Sequence, residues 1–386
     1  MRGRRIPPGL MLAIGMLACA SAPAWCKEEL RQPYELMRSL RTLQDRMAVG
    51  DSAAFLAYPR TIAAYAALFE EAPEEAWKDP RNVRAAIAFV LSGGDPHVLA
   101  RLAKLDTGAE KTLVRAALAY GNNRNTQAAE LLADANPRTL DPSIAAHIAL
   151  VRAELLTKKD PDKALALLAD ARLLAPGTMI EESALRREAT LAADRGDAAR
   201  FESVMSQYLR RFASSVHMAT FRRQFATSIA TRGMGDDLQR RSRMEAAIGA
   251  LPPSQREDVY LSVAWEGIMA GRVDLVRWAT GSANGLSADD SPQQLRARLF
   301  EGAVLLVTNE FERGVSQLRA LPPDQLDAEE EGLLAAALSV ADEVRRASPL
   351  PQSADNPPPG ASAPSVAATA KATIAKVDNL LSEARR

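Results

Sequence analysis

The chain repeats itself at regular intervals, and this restricts its fold more than any other feature of the sequence. Leu-Val-Arg-Ala at residues 113–116 recurs at 150–153, an offset of 37 residues. Leu-Leu-Ala-Asp at 131–134 recurs at 167–170, an offset of 36 residues. In each copy, polar turn residues separate two apolar stretches, so each repeat is predicted to be a pair of helices joined by a turn.

The same pattern continues further along the chain. Residues 185–193 and 198–212 form a third pair of apolar stretches, with turn residues at 194–197 between them. Ala-Leu-Pro-Pro at 250–253 recurs at 320–323, an offset of 70 residues, which is twice 35. Two helices of about 13 residues with two short turns occupy about 34 residues, the length of a tetratricopeptide repeat (TPR).

The repeat predicts the fold class. One helical hairpin cannot cover its own apolar face, whereas stacked hairpins bury a continuous core. Only 5% of the residues are aromatic, and the abundant Ala and Leu are strong helix formers. We therefore predict an all-α protein, a solenoid of TPR-like helical hairpins over residues 25–347. The alternative is a non-repetitive helical bundle in which the short sequence matches arise by chance.

The first 24 residues have the three parts of a secretory signal peptide. Three arginines lie within the first five residues, residues 10–20 are apolar, and Ala-Pro-Ala at 22–24 forms a cleavage site. The apolar run is shorter than the roughly 20 residues that span a bilayer. We expect export, and a mature chain that starts near Trp25 without a transmembrane segment. Lipidation of Cys19 is the weaker alternative, because residues 16–19 match a lipoprotein signal poorly.

The C-terminal part differs from the array in composition. Residues 348–368 are rich in Pro, Ala and Ser, and packed elements do not tolerate this density of proline, so we expect a semi-extended linker. Residues 369–386 place apolar side chains at spacings of three and four, which predicts an amphipathic helix. These side chains are Ala370, Ile374, Val377, Leu381 and Ala384. Such a helix either docks on the array or binds a partner.

Charge and motifs argue against several classes of function. The 48 basic and 48 acidic residues balance, which gives no indication of nucleic-acid binding. The histidines, His97, His147 and His217, lie far apart and show no metal-binding spacing. The sequence contains no P-loop, dinucleotide-binding turn or G-x-S-x-G motif. We expect no metal, no cofactor, no small-molecule substrate and no enzymatic activity.

Glu182-Ser183 invites comparison with the soluble lytic transglycosylases, which combine an exported helical superhelix with a catalytic Glu-Ser pair. Here Ala184-Leu185-Arg186 follows, in place of the aromatic and proline residues of those enzymes, and no lysozyme-like domain follows the array. We interpret the acids at this position as groups that cap the N-terminus of a helix.

A basic stretch is the clearest candidate for contact with a partner. Residues 209–243 contain eight arginines and two acids. We predict that four of the arginines line a shared groove and bind an acidic partner, because the guanidinium group suits carboxylates. These four are Arg210, Arg211, Arg222 and Arg223. An ordinary solvated surface is the alternative interpretation.

Two segments resemble one known family. The first is Gln-Pro-Tyr-Glu-Leu at 32–36, with residues 38–40 and 43–45. The second is Phe-Val-Leu-Ser-Gly-Gly at 89–94, followed by Pro-x-Val-Leu at 96–99. Together with the chain length, the signal peptide and the Pro-rich region, they resemble the MotC family, periplasmic motility proteins of α-proteobacterial flagellar systems.

The resemblance implies a function that the residues alone do not give. Proteins of this family are not enzymes, are needed for flagellar rotation and are thought to bind the periplasmic part of the stator protein MotB. We therefore expect a periplasmic adaptor of the flagellar motor. Two alternatives are a general periplasmic scaffold for envelope assembly or secretion, and a peptidoglycan-acting superhelical protein without a recognisable catalytic domain.

Overall fold

The computed structural model describes residues 31–288 and 291–347, and in these ranges the chain is all-α, as predicted. It forms seventeen α-helices, four short 3-10 helices and no β-strand within the described residues. The helices are α1 (Pro33–Ala48), α2 (Ser52–Glu71), α3 (Pro80–Leu91), α4 (His97–Leu102), α5 (Lys111–Gly121), α6 (Asn125–Leu131), α7 (Pro142–Leu156), α8 (Pro161–Leu174), α9 (Met179–Asp194), α10 (Ala198–Phe212), α11 (Met218–Thr231), α12 (Leu238–Ile248), α13 (Pro253–Met269), α14 (Val273–Asn284), α15 (Pro292–Leu305), α16 (Phe311–Arg319) and α17 (Ala328–Ala347). The predicted signal peptide, linker and C-terminal helix lie outside the described residues.

Many helices begin at a capping side chain that is followed by proline. Asp79, Asp141 and Asp160 each accept a hydrogen bond from a backbone N–H in the first turn, and each precedes a proline at the first helical position. Ser291 begins α15 in the same way. The cap satisfies an N–H that has no partner within the helix, and proline fits there because it has no N–H to satisfy.

From α7 onward the helices form two rows. Helices α7, α9, α11, α13, α15 and α17 pack against one another in succession, and we call them the first row. Helices α8, α10, α14 and α16 each pack against the first-row helix that precedes them, and α12 packs against α10; these form the second row. The free face of the first row is the surface that points away from the second row.

The repeated sequence segments occupy matching places, with one exception. Residues 113–116 lie in α5 and residues 150–153 in α7, and both Ala-Leu-Pro-Pro segments precede a first-row helix. Residues 167–170 lie inside α8, whereas residues 131–134 run past the end of α6. Helix α6 ends at Leu131, and a 3-10 helix that starts at Pro137 follows it.

The buried apolar residues form three clusters along the array. The first joins α1 to α7, the second is small and joins α7 to α9, and the third joins α9 to α17. This arrangement fits a repeat protein, in which each unit contacts mainly its neighbours.

Helix α1 departs from this nearest-neighbour order. Leu36 and Leu40 belong to the first cluster, but Ala48 belongs to the third. Near the end of α1, the Met47 carbonyl accepts a hydrogen bond of 3.2 Å from the Val216 N–H, between α10 and α11. Helix α1 therefore crosses the array and joins its two large clusters, an arrangement that the repeat pattern does not predict.

Candidate functional site

Helix α9 carries polar side chains on two opposite faces. Toward the second row, Glu188 forms ion pairs with Arg172 of α8 at 2.6 Å and with Arg200 of α10 at 3.2 Å. Four other polar residues lie on the free face, at spacings of three and four: Ser183, Arg186, Arg187 and Thr190.

A pocket of about 340 Å³ opens between this face of α9 and α11. It is lined by Ser183, Arg186, Arg187, Thr190 and Gln224. Arg186 donates from Nη2 to the Ser183 Oγ at 3.5 Å, which is the limit for a hydrogen bond, and its buried Nε has no partner. Gln224 is exposed, and its side chain has no hydrogen-bond partner among the described residues. The Arg186 guanidinium therefore has one side-chain acceptor, the Ser183 Oγ at the limit of hydrogen bonding, and forms no ion pair with an acid among the described residues.

The second arginine of the pocket is already paired. Arg187 donates to the Glu154 carboxylate of α7 at 2.5 Å, and the Tyr120 hydroxyl of α5 donates to the same oxygen at 2.8 Å. Burial, together with the hydrogen bond to Glu154, raises the pKa of Tyr120 to about 12. These side chains link three helices across the free face.

The two acids at the start of α9 have different roles. The N-cap of α9 is Thr178, whose hydroxyl accepts the Ile180 N–H, so the predicted capping by these acids is wrong. Glu181 accepts the N–H of Gly177, the residue before the cap, at 2.5 Å. Glu182 does not cap the helix; it is 0% exposed, and its Oε1 accepts hydrogen bonds from the Tyr208 hydroxyl at 2.7 Å and the Ser215 hydroxyl at 2.6 Å. Burial, and then the Glu182 charge, raise the pKa of Tyr208. A carboxylate enclosed in this way cannot reach a wall polysaccharide, so the geometry gives no support to a transglycosylase role.

His217 connects this region to α2. Burial lowers the pKa of His217, and the nearby charges act in opposite directions: Glu182 raises this pKa and Arg186 lowers it. The Phe55 ring packs edge-on against the imidazole, with 6.1 Å between ring centroids. The next residue, Leu56, is 74% exposed. Helix α2 therefore contacts the loop before α11 through Phe55 and leaves Leu56 exposed.

The structure divides the four arginines that were predicted to contact a partner. Arg211 forms an ion pair with Glu181 at 2.9 Å, and Arg222 forms one with Asp258 at 2.8 Å. Arg210 and Arg223 are exposed and form no ion pair or hydrogen bond with the described residues. Two cations of the predicted basic surface are thus neutralised within the fold, and two remain free for a partner.

Three more arginines of the basic stretch also have partners. Arg232 pairs with Asp194, and Arg243 pairs with Glu202 at 2.5 Å. Arg241 donates to a backbone carbonyl and lies 5.8 Å from the centroid of the Trp278 ring. Four of the eight arginines of the stretch therefore pair with an acid from outside it.

Sequence analysis missed these ion pairs because their partners lie one repeat away. The hydrogen-bonded pairs Glu154–Arg187 and Arg277–Glu310 are each separated by 33 residues. Arg222 and Asp258 are separated by 36 residues. A comparison of charges across successive repeats, rather than along the chain, would have found them.

Two further properties concern the described residues as a whole. No group of three or more His, Cys, Asp or Glu side chains in residues 31–288 and 291–347 is placed to hold a metal ion. None of the helices in this part of the chain combines the length and the apolar character needed to cross a membrane.

The fold and the free face define an α-helical repeat protein, a class whose stacked helices offer extended surfaces for binding. The model of one family, described as chemotaxis protein MotC, matches residues 2–386. The chain therefore belongs to the MotC family, which confirms the resemblance seen in its sequence. It is 32% identical over 334 residues to chemotaxis protein MotC of Rhizobium meliloti strain 1021, covering 86% of this chain and 76% of that protein. No solved structure matches the chain.

Proposed function

We propose that this protein is a non-enzymatic periplasmic adaptor that flagellar motor rotation requires. The observation that carries this proposal is the family match, which extends over residues 2–386. The first 24 residues have the charge, apolar run and cleavage site of a signal peptide, which supports a periplasmic location. The repeat fold supports a binding role, because stacked helical hairpins form long surfaces on which partners dock.

The proposed partner is the periplasmic part of the stator protein MotB, as membership of this family suggests. The described surface offers both kinds of contact that protein interfaces use. Val49, Phe55 and Leu56, at the junction of α1 and α2, are exposed apolar side chains. Arg210 and Arg223 are exposed, unpaired cations that can speed the approach of an acidic partner.

Deleting the gene tests the motor role. We expect assembled flagella that rotate poorly, seen by electron microscopy and by rotation of tethered cells. The wild-type gene should restore rotation, whereas a gene with Leu12→Asp and Ile14→Asp should not, because charge in the apolar run blocks export. A fully motile deletion strain would refute the motor role and leave a general envelope scaffold as the alternative.

Direct binding is measured separately, with the purified protein and the purified periplasmic part of MotB. We expect a complex whose association slows as salt is added, because the unpaired arginines act through screened charge. If the deletion strain is non-motile but no complex forms, the motor role stands and MotB is not the direct partner.

A further inference from the structure

The pocket between α9 and α11 contains a cation that has no internal acid as a partner. A guanidinium group carries five N–H donors. Arg186 makes a single side-chain hydrogen bond, the 3.5 Å contact with Ser183, and its buried Nε has no acceptor. A buried donor without an acceptor is unfavourable, so this group favours a ligand that supplies one.

The neighbouring pairs of first-row helices, α7 with α9 and α11 with α13, contain acids that accept hydrogen bonds across the helix contact. Between α7 and α9, Glu154 accepts from Arg187. Between α11 and α13, Asp258 accepts from Arg222 at 2.8 Å, and Glu266 accepts from the Thr227 hydroxyl at 3.0 Å. No hydrogen bond or ion pair joins the α9 residues of the pocket to Gln224 on α11. Among the described residues, no acid pairs with Arg186 on this part of the free face.

The charged groups around the pocket do not fill this role. Glu182 is the buried acid near Arg186; its Oε1 accepts from Tyr208 and Ser215, and its Oε2 has no partner. It forms no ion pair with Arg186 in the described fold. Arg223, next to Gln224 in the chain, adds an exposed cation whose side chain has no partner among the described residues. The Arg186 guanidinium is thus not paired with an internal acid and is open to a carboxylate from another molecule.

We propose that this pocket binds a carboxylate of an acidic segment of the partner protein, with Arg186 as the main donor. A planar guanidinium can form two parallel hydrogen bonds with a carboxylate, and such charge-assisted bonds are stronger than neutral ones. The Gln224 amide adds a further donor at the opposite wall.

This inference rests on the proposed function, because it assumes that the protein binds a partner protein. The test therefore uses two probes with the full-length chain. One is the purified periplasmic part of MotB. The other is a labelled peptide of alternating Glu and Gly, compared with its Gln and Gly counterpart at low ionic strength, where charge contacts are least screened.

Substitution of Gln224 changes the charge of the pocket without breaking a side-chain contact within the described fold. Gln224→Glu should weaken binding of the acidic probes about 3- to 10-fold, and Gln224→Lys should strengthen it by a similar factor. Arg186→Gln should weaken it about 10-fold or more. Gln239 is exposed at the start of α12, outside the pocket, so Gln239→Glu and Gln239→Lys are matched controls that should change binding less than about 2-fold.

The outcomes separate this inference from the proposed function. If MotB binds equally well to the wild type and all pocket variants, the pocket inference is overturned and the adaptor role stands. If MotB does not bind at all, the peptide decides: binding that follows the charge at Gln224 supports a carboxylate site, and equal binding of the Glu and Gln peptides overturns it. If circular dichroism shows that Arg186→Gln does not fold, the two Gln224 variants carry the test.

Discussion

His147 shows how a single buried side chain makes the stability of the protein depend on pH. It lies inside α7, where its Nε2 is 3.3 Å from the hydroxyl of Ser92, the residue that follows α3. Burial, and to a lesser extent the positive charge of Arg41, lower the pKa of His147 to about 3. The imidazole is therefore neutral in the folded protein at pH values where an unfolded histidine, with a pKa of about 6.5, is already protonated.

This difference in pKa makes the folded protein less stable in mild acid. As the pH falls below about 6.5, the unfolded chain binds a proton at His147 and the folded chain does not until about pH 3, so stability falls across that window. Between pH 7 and pH 5 this group should reduce the free energy of unfolding by about 2 kcal/mol. In His147→Gln, the free energy of unfolding should fall less between pH 7 and pH 5, because the part that His147 contributes is gone. Urea denaturation of the wild type and of His147→Gln at both pH values, followed by circular dichroism, measures this difference.

The matched control is His97→Gln, because His97 is exposed at the start of α4. Its variant should lose stability between pH 7 and pH 5 by the same amount as the wild type. An equal loss for His147→Gln would show that His147 is not held as a buried neutral group.

At the scale of one helix, α8 provides a test of the packing between repeats. Leu168 is 2% exposed and lies in the second cluster, whereas Leu173 on the same helix is 74% exposed. Leu168→Ala should cost about 2–5 kcal/mol, because it leaves a cavity between layers. Leu173→Ala should change stability by less than about 0.5 kcal/mol. Circular dichroism during urea denaturation compares them, and equal costs would contradict the packing of α8 in the array.

The helices themselves were predictable because the signals that form them are local. The turns at 122–124 and 157–160 and the apolar spacing of α9 can be read from a few neighbouring residues. The prediction for the arginine stretch was less complete, because it counted charges along the chain. In the structure, Glu181 approaches Arg211 from the other helix of the same hairpin, and Asp258 approaches Arg222 from the next repeat.

The pocket was not predictable for a related reason. Ser183, Arg186 and Thr190 form an ordinary polar face of a helix, and such a face is usually solvated. Their importance depends on Gln224, 38 residues beyond Arg186, and on the absence of an acid at this layer of the free face. These residues form a pocket only because α9 packs against α11, and that contact is not visible in the local sequence.

At the scale of the whole molecule, α1 changes how the array holds together. A repeat array without long-range contacts can open at any layer, because each unit contacts only its neighbours. Here α1 starts in the first cluster and ends in the third, and the Met47 carbonyl bonds to Val216, 169 residues away. We call α1 and the turn that follows it, residues 33–51, the strap. We expect the strap to make the two large clusters unfold together.

Gly50 is the residue at which the strap can be loosened selectively. Its φ is +94°, and a Cβ there would lie 2.1 Å from the Ser214 carbonyl oxygen. Gly93 has a similar φ of +96°, but a Cβ there would meet nothing within 4 Å. Both Gly→Ala substitutions therefore carry backbone strain of about 1 kcal/mol, while Gly50→Ala adds a clash between α1 and the loop before α11.

We expect Gly50→Ala to separate the strap from that loop, and Gly93→Ala to leave it in place. The Val216 amide reports this directly, because its hydrogen-bond acceptor is the Met47 carbonyl of the strap. Its hydrogen exchange should accelerate in Gly50→Ala and not in Gly93→Ala. Denaturation of Gly50→Ala should also split into separate transitions, followed by fluorescence in variants that keep only Trp77, in the first cluster, or only Trp265, against the third. If both variants show the same exchange at Val216 and one common transition, α1 does not couple the two clusters.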